Sequence, residues 1–291
     1  MTHPSVQSLA LESISPVRLF GGVDDETWQW MNLEGREACP FLARYLPSLP
    51  DEGLQANFVG VSGSEAVTSG AAIHDLFKRL HEQHAGPLLP NDRVLDFGCG
   101  WGRVIRFFLK EIEPDNLYGI DVNEEAIAAC QATNRWCQFL RTAEFPPTDF
   151  ESESIELVYA YSVFSHLSEE AHERWLEEFG RILKPGGVVV LTTFARSFLQ
   201  VCAEWAVSEQ DESRQDSEFR RRAGAALGDP GRLAAYDRGE FCYGPHSSES
   251  EHFGYACISE EYVRRVWSKY FRVLDYLPNA DEQDVIVCRK D

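Results

Sequence analysis

R-V-L-D-F-G-C-G-W-G-R, residues 93–103, reads as a strand, a glycine turn and the start of a helix. Val94 and Leu95 form a short apolar run suited to a buried parallel strand, and Gly98, Gly100 and Gly102 follow at once. Behind Trp101, the apolar residues Val104, Ile105, Phe107, Phe108 and Ile112 recur at helical spacing, which predicts a helix. Glycine is needed between strand and helix because the backbone must turn tightly and let a ligand approach where a side chain would stand.

The residues of the turn narrow the ligand. The spacing is G-x-G-x-G, and Arg103 stands where a dinucleotide fingerprint G-x-G-x-x-G places its third glycine. No G-K-[ST] closes a phosphate-binding P-loop. Asp96, a carboxylate at the strand end beside the glycines, repels a phosphate and favours a cation. Downstream, L-Y-G-I-D (Leu117–Asp121) reads as a second strand ending in an acid, placed to accept from both hydroxyls of a ribose. Together these features describe a nucleoside that carries an amine and no phosphate.

Three segments in order, D-F-G-C-G-W-G-R (96–103), G-I-D-V-N (119–123) and L-K-P-G-G-V-V-V-L-T-T (183–193), resemble the motifs of class I S-adenosylmethionine-dependent methyltransferases, bacterial small-molecule type. The similarity runs over 90–194 and resumes from 258 to the end. Asp96–Gly98 also spells the kinase metal motif D-F-G, but no H-R-D-x-x-x-x-N precedes it. The resemblance implies an α/β fold, a doubly wound, seven-stranded, mostly parallel Rossmann-like sheet whose last strand is antiparallel. It also implies S-adenosyl-L-methionine as cofactor, bound by Asp96, Gly98, Cys99, Gly100, Gly102, Asp121, Val122 and Thr142, with Tyr161 and Ser162 at its methionine end. Family members often carry an Asp after the third strand for the adenine amine. Here that stretch is L-R-T-A-E-F-P-P, so Leu140, Arg141 and Thr142 are expected to wall the adenine or offer backbone groups.

At 291 residues and 44% hydrophobic content, the chain can bury a full α/β core and carry appendages. Its net charge of −20 opposes a long phosphate backbone or an anionic membrane surface. Arg220, Arg221 and Arg222 form its basic cluster, amid acids. The expected partner is therefore a small-molecule methyl acceptor, with no nucleic acid and no membrane; oligomeric state is left open. The eight cysteines are scattered without C-x-x-C or zinc spacing, as core residues of a reducing compartment would be. No signal-peptide pattern opens the chain and no apolar stretch is long enough to span a bilayer, so a soluble cytoplasmic protein is expected.

Residues 1–60 read as an extension that packs Trp28, Trp30, Phe41 and Tyr45 onto the core, and 61–291 as the methyltransferase domain. An amphipathic helix is predicted over 64–84 from Ile73, Leu76, Phe77 and Leu80, with Gly60, Ser62 and Gly63 as its starting loop. Asn123 caps a helix to about 134. Strands follow at 136–140 and 155–161, then a helix over 168–183 that K-P-G-G (184–187) ends, and a fifth strand over 187–193. The cofactor core is thus 90–194. From 195 to 256 the pattern breaks into an irregular, glycine-rich lid insertion. A helix capped by Ser259 and two strands, 271–277 and 284–287, joined by a turn at 278–282, close the C-terminal part, 257–291.

Methyl transfer from a sulfonium is an in-line displacement; the cofactor supplies the hard step and the protein aligns the acceptor. A hydroxyl acceptor needs a base. His166, just past the fourth strand, is the candidate, and O-methylation is slightly preferred, although a His here in relatives often only orients its loop. Some RNA 2′-O-methyltransferases carry E-x-x-E-H at this place and bind a metal. Ser162 and Ser165 replace both acids, so no metal is expected. Tyr236, Tyr243, His246, His252 and Asp284 are secondary candidates for the acceptor side. The competing readings are a cofactor-binding protein without transfer activity and a nucleotide-dependent oxidoreductase, the latter opposed by Asp96 and the glycine spacing.

Overall fold

A computed structural model describes residues 14–208, 216–247, 251–280 and 283–291. The expectations for 1–13, for parts of the insertion (209–215 and 248–250) and for the end of the 278–282 turn lie outside the described residues. The chain divides into two compact units, Met1–Ala143 with Ile155–Tyr159 and Glu144–Ser154 with Ala160–Asp291.

In the first unit, strands β1 (Val94–Phe97), β2 (Leu117–Asp121), β3 (Gln138–Arg141) and β4 (Ile155–Ala160) run parallel in the order β3-β2-β1-β4. Every residue of β1 is buried, which is why its sequence is a continuous run rather than an alternation. The predicted helices form as Gly63–Ala85, burying Ile73, Phe77 and Leu80, and as Glu124–Thr133. The second is capped by the Asn123 side chain, which accepts from the Ala126 amide at 3.1 Å, with Glu124 and Glu125 in the first turn.

The helix expected behind the glycine turn is instead a short 3-10 segment, Ile105–Lys110, buried on every residue. The N-terminal extension supplies the reason. Its Trp28 indole donates to the Phe107 carbonyl at 2.9 Å, a group that an α-helix would use internally. The Arg106 guanidinium donates to Asn32 Oδ1 and the Pro47 carbonyl, and Lys110 pairs with Asp25 and the Val23 carbonyl. Apolar spacing alone could not show that these partners exist. Of the extension's aromatics, Trp28 and Tyr45 are buried; Trp30 and Phe41 stay exposed.

In the second unit, β5 (Leu183–Phe194) follows the helix Glu169–Ile182, which Ser168 caps. The K-P-G-G segment lies inside this strand rather than in a turn before it, because the C-terminal chain pairs with it: the Gly186 amide donates to the Lys290 carbonyl and the Lys290 amide to that of Gly187. Strand β9 (Gln283–Arg289) is antiparallel to both β5 and β8 (Arg272–Leu277). The insertion adds β6 (Cys242–Pro245) and β7 (Gly254–Cys257), an antiparallel hairpin whose second strand runs parallel to β5 at Phe194. Apart from β6 and β7, the described strands are the seven of a doubly wound methyltransferase fold, with β9 the antiparallel one.

Where described, residues 195–256 are not irregular. Their described part forms the helices Arg196–Val207, Ser217–Leu227 and Gly231–Asp237 besides the hairpin. Leu199, Cys202, Ala223, Leu227, Tyr236, Cys242, Tyr255 and Cys257 close with Phe194 into a buried cluster. The glycines that marked loop in the sequence are points of close packing. A Cβ on Gly244 would stand 2.4 Å from the Ala226 carbonyl oxygen, and one on Gly254 would stand 2.2 Å from that of Gly244. Gly244→Ala should therefore cost about 1–3 kcal/mol through overpacking, read as a fall in thermal midpoint. Gly22→Ala, where a Cβ meets nothing within 4 Å, serves as the near-neutral control.

Candidate active site

The glycine turn is built as its sequence requires. Gly98, Gly100 and Gly102 adopt φ of 71°, 52° and 77°, a region that a side chain disfavours. The Gly98 and Cys99 amides both donate to the Ile120 carbonyl, at 2.8 and 3.1 Å, which ties the turn to the end of β2.

Asp121 fixes the turn from the other side. Its Oδ2 accepts from the Gly100 amide at 2.9 Å and its Oδ1 from the Asn123 amide at 2.8 Å. Each carboxylate oxygen has two lone pairs, so one on each oxygen remains for a vicinal diol. Burial raises its pKa, opposed by the amides of Asn123, Gly100 and Val122. The Thr142 amide donates to the Asp121 carbonyl at 2.9 Å, bringing the end of β3 alongside. Val122 and Leu140, 52% and 50% exposed, present apolar side chains at the ends of β2 and β3, where an adenine needs a wall. At the end of β3, where the sequence lacks the amine-binding acid, Arg141 donates to Glu124 at 2.9 Å.

Asp96 is only 4% exposed. Burial pushes its carboxyl up to about 7; the Tyr159 hydroxyl pulls it down without reaching the geometry of a formed hydrogen bond, the Asp121 charge raises it and Arg103 lowers it. Arg103 is itself buried, donating to Ser69 at 2.7 Å, and its backbone lies so close to Gly70 that a Cβ there would be 2.7 Å from its carbonyl oxygen. Cys99 is buried beside Cys130, and both thiols donate to the Gly100 carbonyl, at 3.7 and 3.2 Å; the neighbouring thiol, then burial, holds the Cys99 pKa well above its ordinary value. These residues, with Phe58 against Gly100 and Phe139 against Gly102, fit a nucleoside cofactor with a ribose and a cationic centre.

Tyr161, Ser162 and His166 belong to the second unit. Ser162 holds a left-handed φ of 56°, kept by its amide donating to Thr192 Oγ1 at 2.7 Å and by Gln283 Nε2 donating to its hydroxyl at 2.9 Å. Both partners are far away in sequence, and nothing in the local motif pointed to them. His166 Nδ1 lies 2.8 Å from the Gly254 carbonyl. A carbonyl only accepts, so Nδ1 carries the proton and Nε2 offers the lone pair. Burial depresses its pKa to about 4, the Gly254 bond opposing and His246 assisting. Phe253 stacks on its ring at 5.4 Å and Phe194 meets it edge-on at 5.3 Å.

Of the secondary candidates, Tyr236 and Asp284 form a buried group with Tyr276, whose hydroxyl donates to Asp284 at 2.6 Å. Tyr243 donates to the Glu251 carbonyl, and His252 pairs with Ser168. His246 lines an open cleft with Arg221 and Arg222. Among the described residues no group of three His, Cys, Asp or Glu is placed to hold a metal ion, and no helix is long and apolar enough to cross a membrane.

Residues 94–187 match the family described as a methyltransferase domain. Over these residues the chain carries a methyltransferase domain. Among curated proteins it is similar to the ribosomal protein L11 methyltransferase of Nitrosomonas europaea, 30% identical over 40% of this chain and 41% of that one. It is also similar to the tRNA N(3)-methylcytidine methyltransferase trm140 of Schizosaccharomyces pombe, 29% identical over 35% of this chain and 36% of that one. The chain thus spans well under half the length of these relatives. In fold it resembles a protein of Listeria monocytogenes assigned to the S-adenosylmethionine-dependent methyltransferases, with a TM-score of 0.51, 13% identity, and 77% and 98% of the two chains covered.

Proposed function

We propose that the chain transfers a methyl group to a small-molecule acceptor at oxygen, with His166 as general base. When bound, S-adenosylmethionine supplies an electrophilic methyl group and leaves as S-adenosylhomocysteine. Asp96, the glycine turn, Asp121, Val122 and Thr142 bind the cofactor in this reading, and Tyr161 and Ser162 serve its methionine end. The acceptor hydroxyl gives its proton to His166 Nε2 as its oxygen takes the methyl group. The observation that carries the base assignment is the Gly254 hydrogen bond, which leaves Nε2 unprotonated. The net charge of −20 supports a small acceptor over a polynucleotide.

The test is S-adenosylhomocysteine production with a panel of hydroxylated metabolites, with ribosomal protein and tRNA as parallel arms. Turnover confined to either macromolecule overturns the small-molecule reading. His166→Ala should slow turnover by about 10²–10⁴-fold while leaving cofactor affinity nearly intact; a full-rate variant removes the base role. Because the imidazole titrates at about 4, the rate at saturating S-adenosylmethionine should fall only as pH drops through that value and stay level from 5 to 7. An acid limb near 6.5 that His166→Gln leaves in place would assign the titration elsewhere.

A further inference from the structure

The second unit contains an open cleft of about 790 Å³ lined by Arg221, Arg222, Ala226, Pro245, His246 and Phe253 among others. Three observations describe its chemistry. Arg221 and Arg222 both bind Glu218, Arg221 through two nitrogens at 3.0 and 2.7 Å and Arg222 through one at 2.6 Å. Two guanidinium charges thus meet one carboxylate, which they hold at a pKa of about 2, and one positive charge remains on this wall. Arg222 has donors that Glu218 does not use. Phe253 contributes an aromatic side chain, 46% exposed, to the lining of the cleft. His246 Nε2 is buried with no hydrogen-bond partner among the described residues, and burial, assisted by Arg222, lowers the pKa of its ring.

The cleft is joined to the proposed base through its lining. The His246 ring lies 6.0 Å from that of His166, and Phe253 stacks on His166. In a chain with net charge −20, a local cationic wall beside an aromatic face selects for an anion with an apolar body.

We propose that this cleft binds the anionic group of the methyl acceptor, a carboxylate or a phosphate monoester, with Arg221 and Arg222 on the anion and Phe253 against the apolar body of the molecule. The proposal rests on the methyl-transfer reading for the word acceptor, but the anion site stands or falls by binding alone.

The experiment titrates the full chain with 4-hydroxybenzoate, 4-hydroxyphenyl phosphate and the neutral 4-hydroxybenzamide, followed by changes in ligand NMR signals. Both anions, or one of them, should bind at least about tenfold more tightly than the amide, and the double variant R221Q/R222Q should remove that preference while S-adenosylmethionine affinity is unchanged. Preference for one anion names the headgroup. Glu218→Gln, which frees both guanidinium groups, should strengthen anion binding. Equal affinity for anion and amide, or an anion preference that survives R221Q/R222Q, overturns the site. Methyl transfer is scored separately: anions that bind through the arginines but are never methylated contradict the acceptor assignment and leave the anion site in place. Transfer to anionic acceptors at the wild-type rate in R221Q/R222Q contradicts the anion site and leaves the methyltransferase.

Discussion

Asp121→Ala should weaken S-adenosylmethionine binding by about 1–3 kcal/mol, a roughly fivefold to 150-fold rise in Kd, from loss of a charged hydrogen-bond acceptor. Two losses combine. The carboxylate holds the Gly100 and Asn123 amides at 2.9 and 2.8 Å, so removing it frees the middle of the glycine turn and the start of the helix Glu124–Thr133. It also removes the lone pairs left for the ribose diol. Asp121→Asn keeps one acceptor oxygen and should fall between wild type and Ala. Equilibrium dialysis with labelled cofactor measures both, and unchanged binding in Asp121→Ala would count against the ribose role.

Asp96→Asn should raise stability while lowering cofactor affinity. The folded-state pKa of about 7 exceeds the ordinary 3.8, so the folded protein holds this proton more tightly than the unfolded chain. The stability tied to the protonated form is therefore full below about 4 and is lost as pH rises towards 7; above that, burying the charge costs up to about 4 kcal/mol. Asn stays neutral. The gap in thermal midpoint between variant and wild type should widen from pH 4.5 to pH 8, and a gap that does not depend on pH contradicts the assignment. Cofactor affinity moves the other way: the sulfonium is attracted by the ionised carboxylate, so wild type should bind more tightly above pH 7 than below it, and Asp96→Asn should show no such step. Stability given up at a binding site is a common exchange.

The glycine turn and the acid that fixes it were legible in the sequence because their residues are local. A strand, a glycine turn and the following strand's acid are adjacent elements, and their spacing is set by one βαβ unit. The same locality explains why Asn123 and Ser259 were readable as caps, each accepting from an amide three residues on. What was not legible depends on distant partners. The 3-10 segment Ile105–Lys110 has α-helical spacing, but the indole of Trp28 takes the Phe107 carbonyl. The insertion looked irregular because glycine serves equally in a loop and where two backbones touch, as Gly244 and Gly254 do. Ser162 gave no sign that Thr192 and Gln283 fix it. Arg221 and Arg222 read as a basic cluster among acids, and only the fold sets them beside His246 and Phe253.

Calorimetric titration of the full chain with S-adenosylmethionine and, side by side, with NADH tests the central claim most directly. Saturable binding of the sulfonium nucleoside is expected, with proton release near pH 7 as Asp96 ionises, and no heat from the dinucleotide. Binding of NADH without binding of S-adenosylmethionine would contradict it.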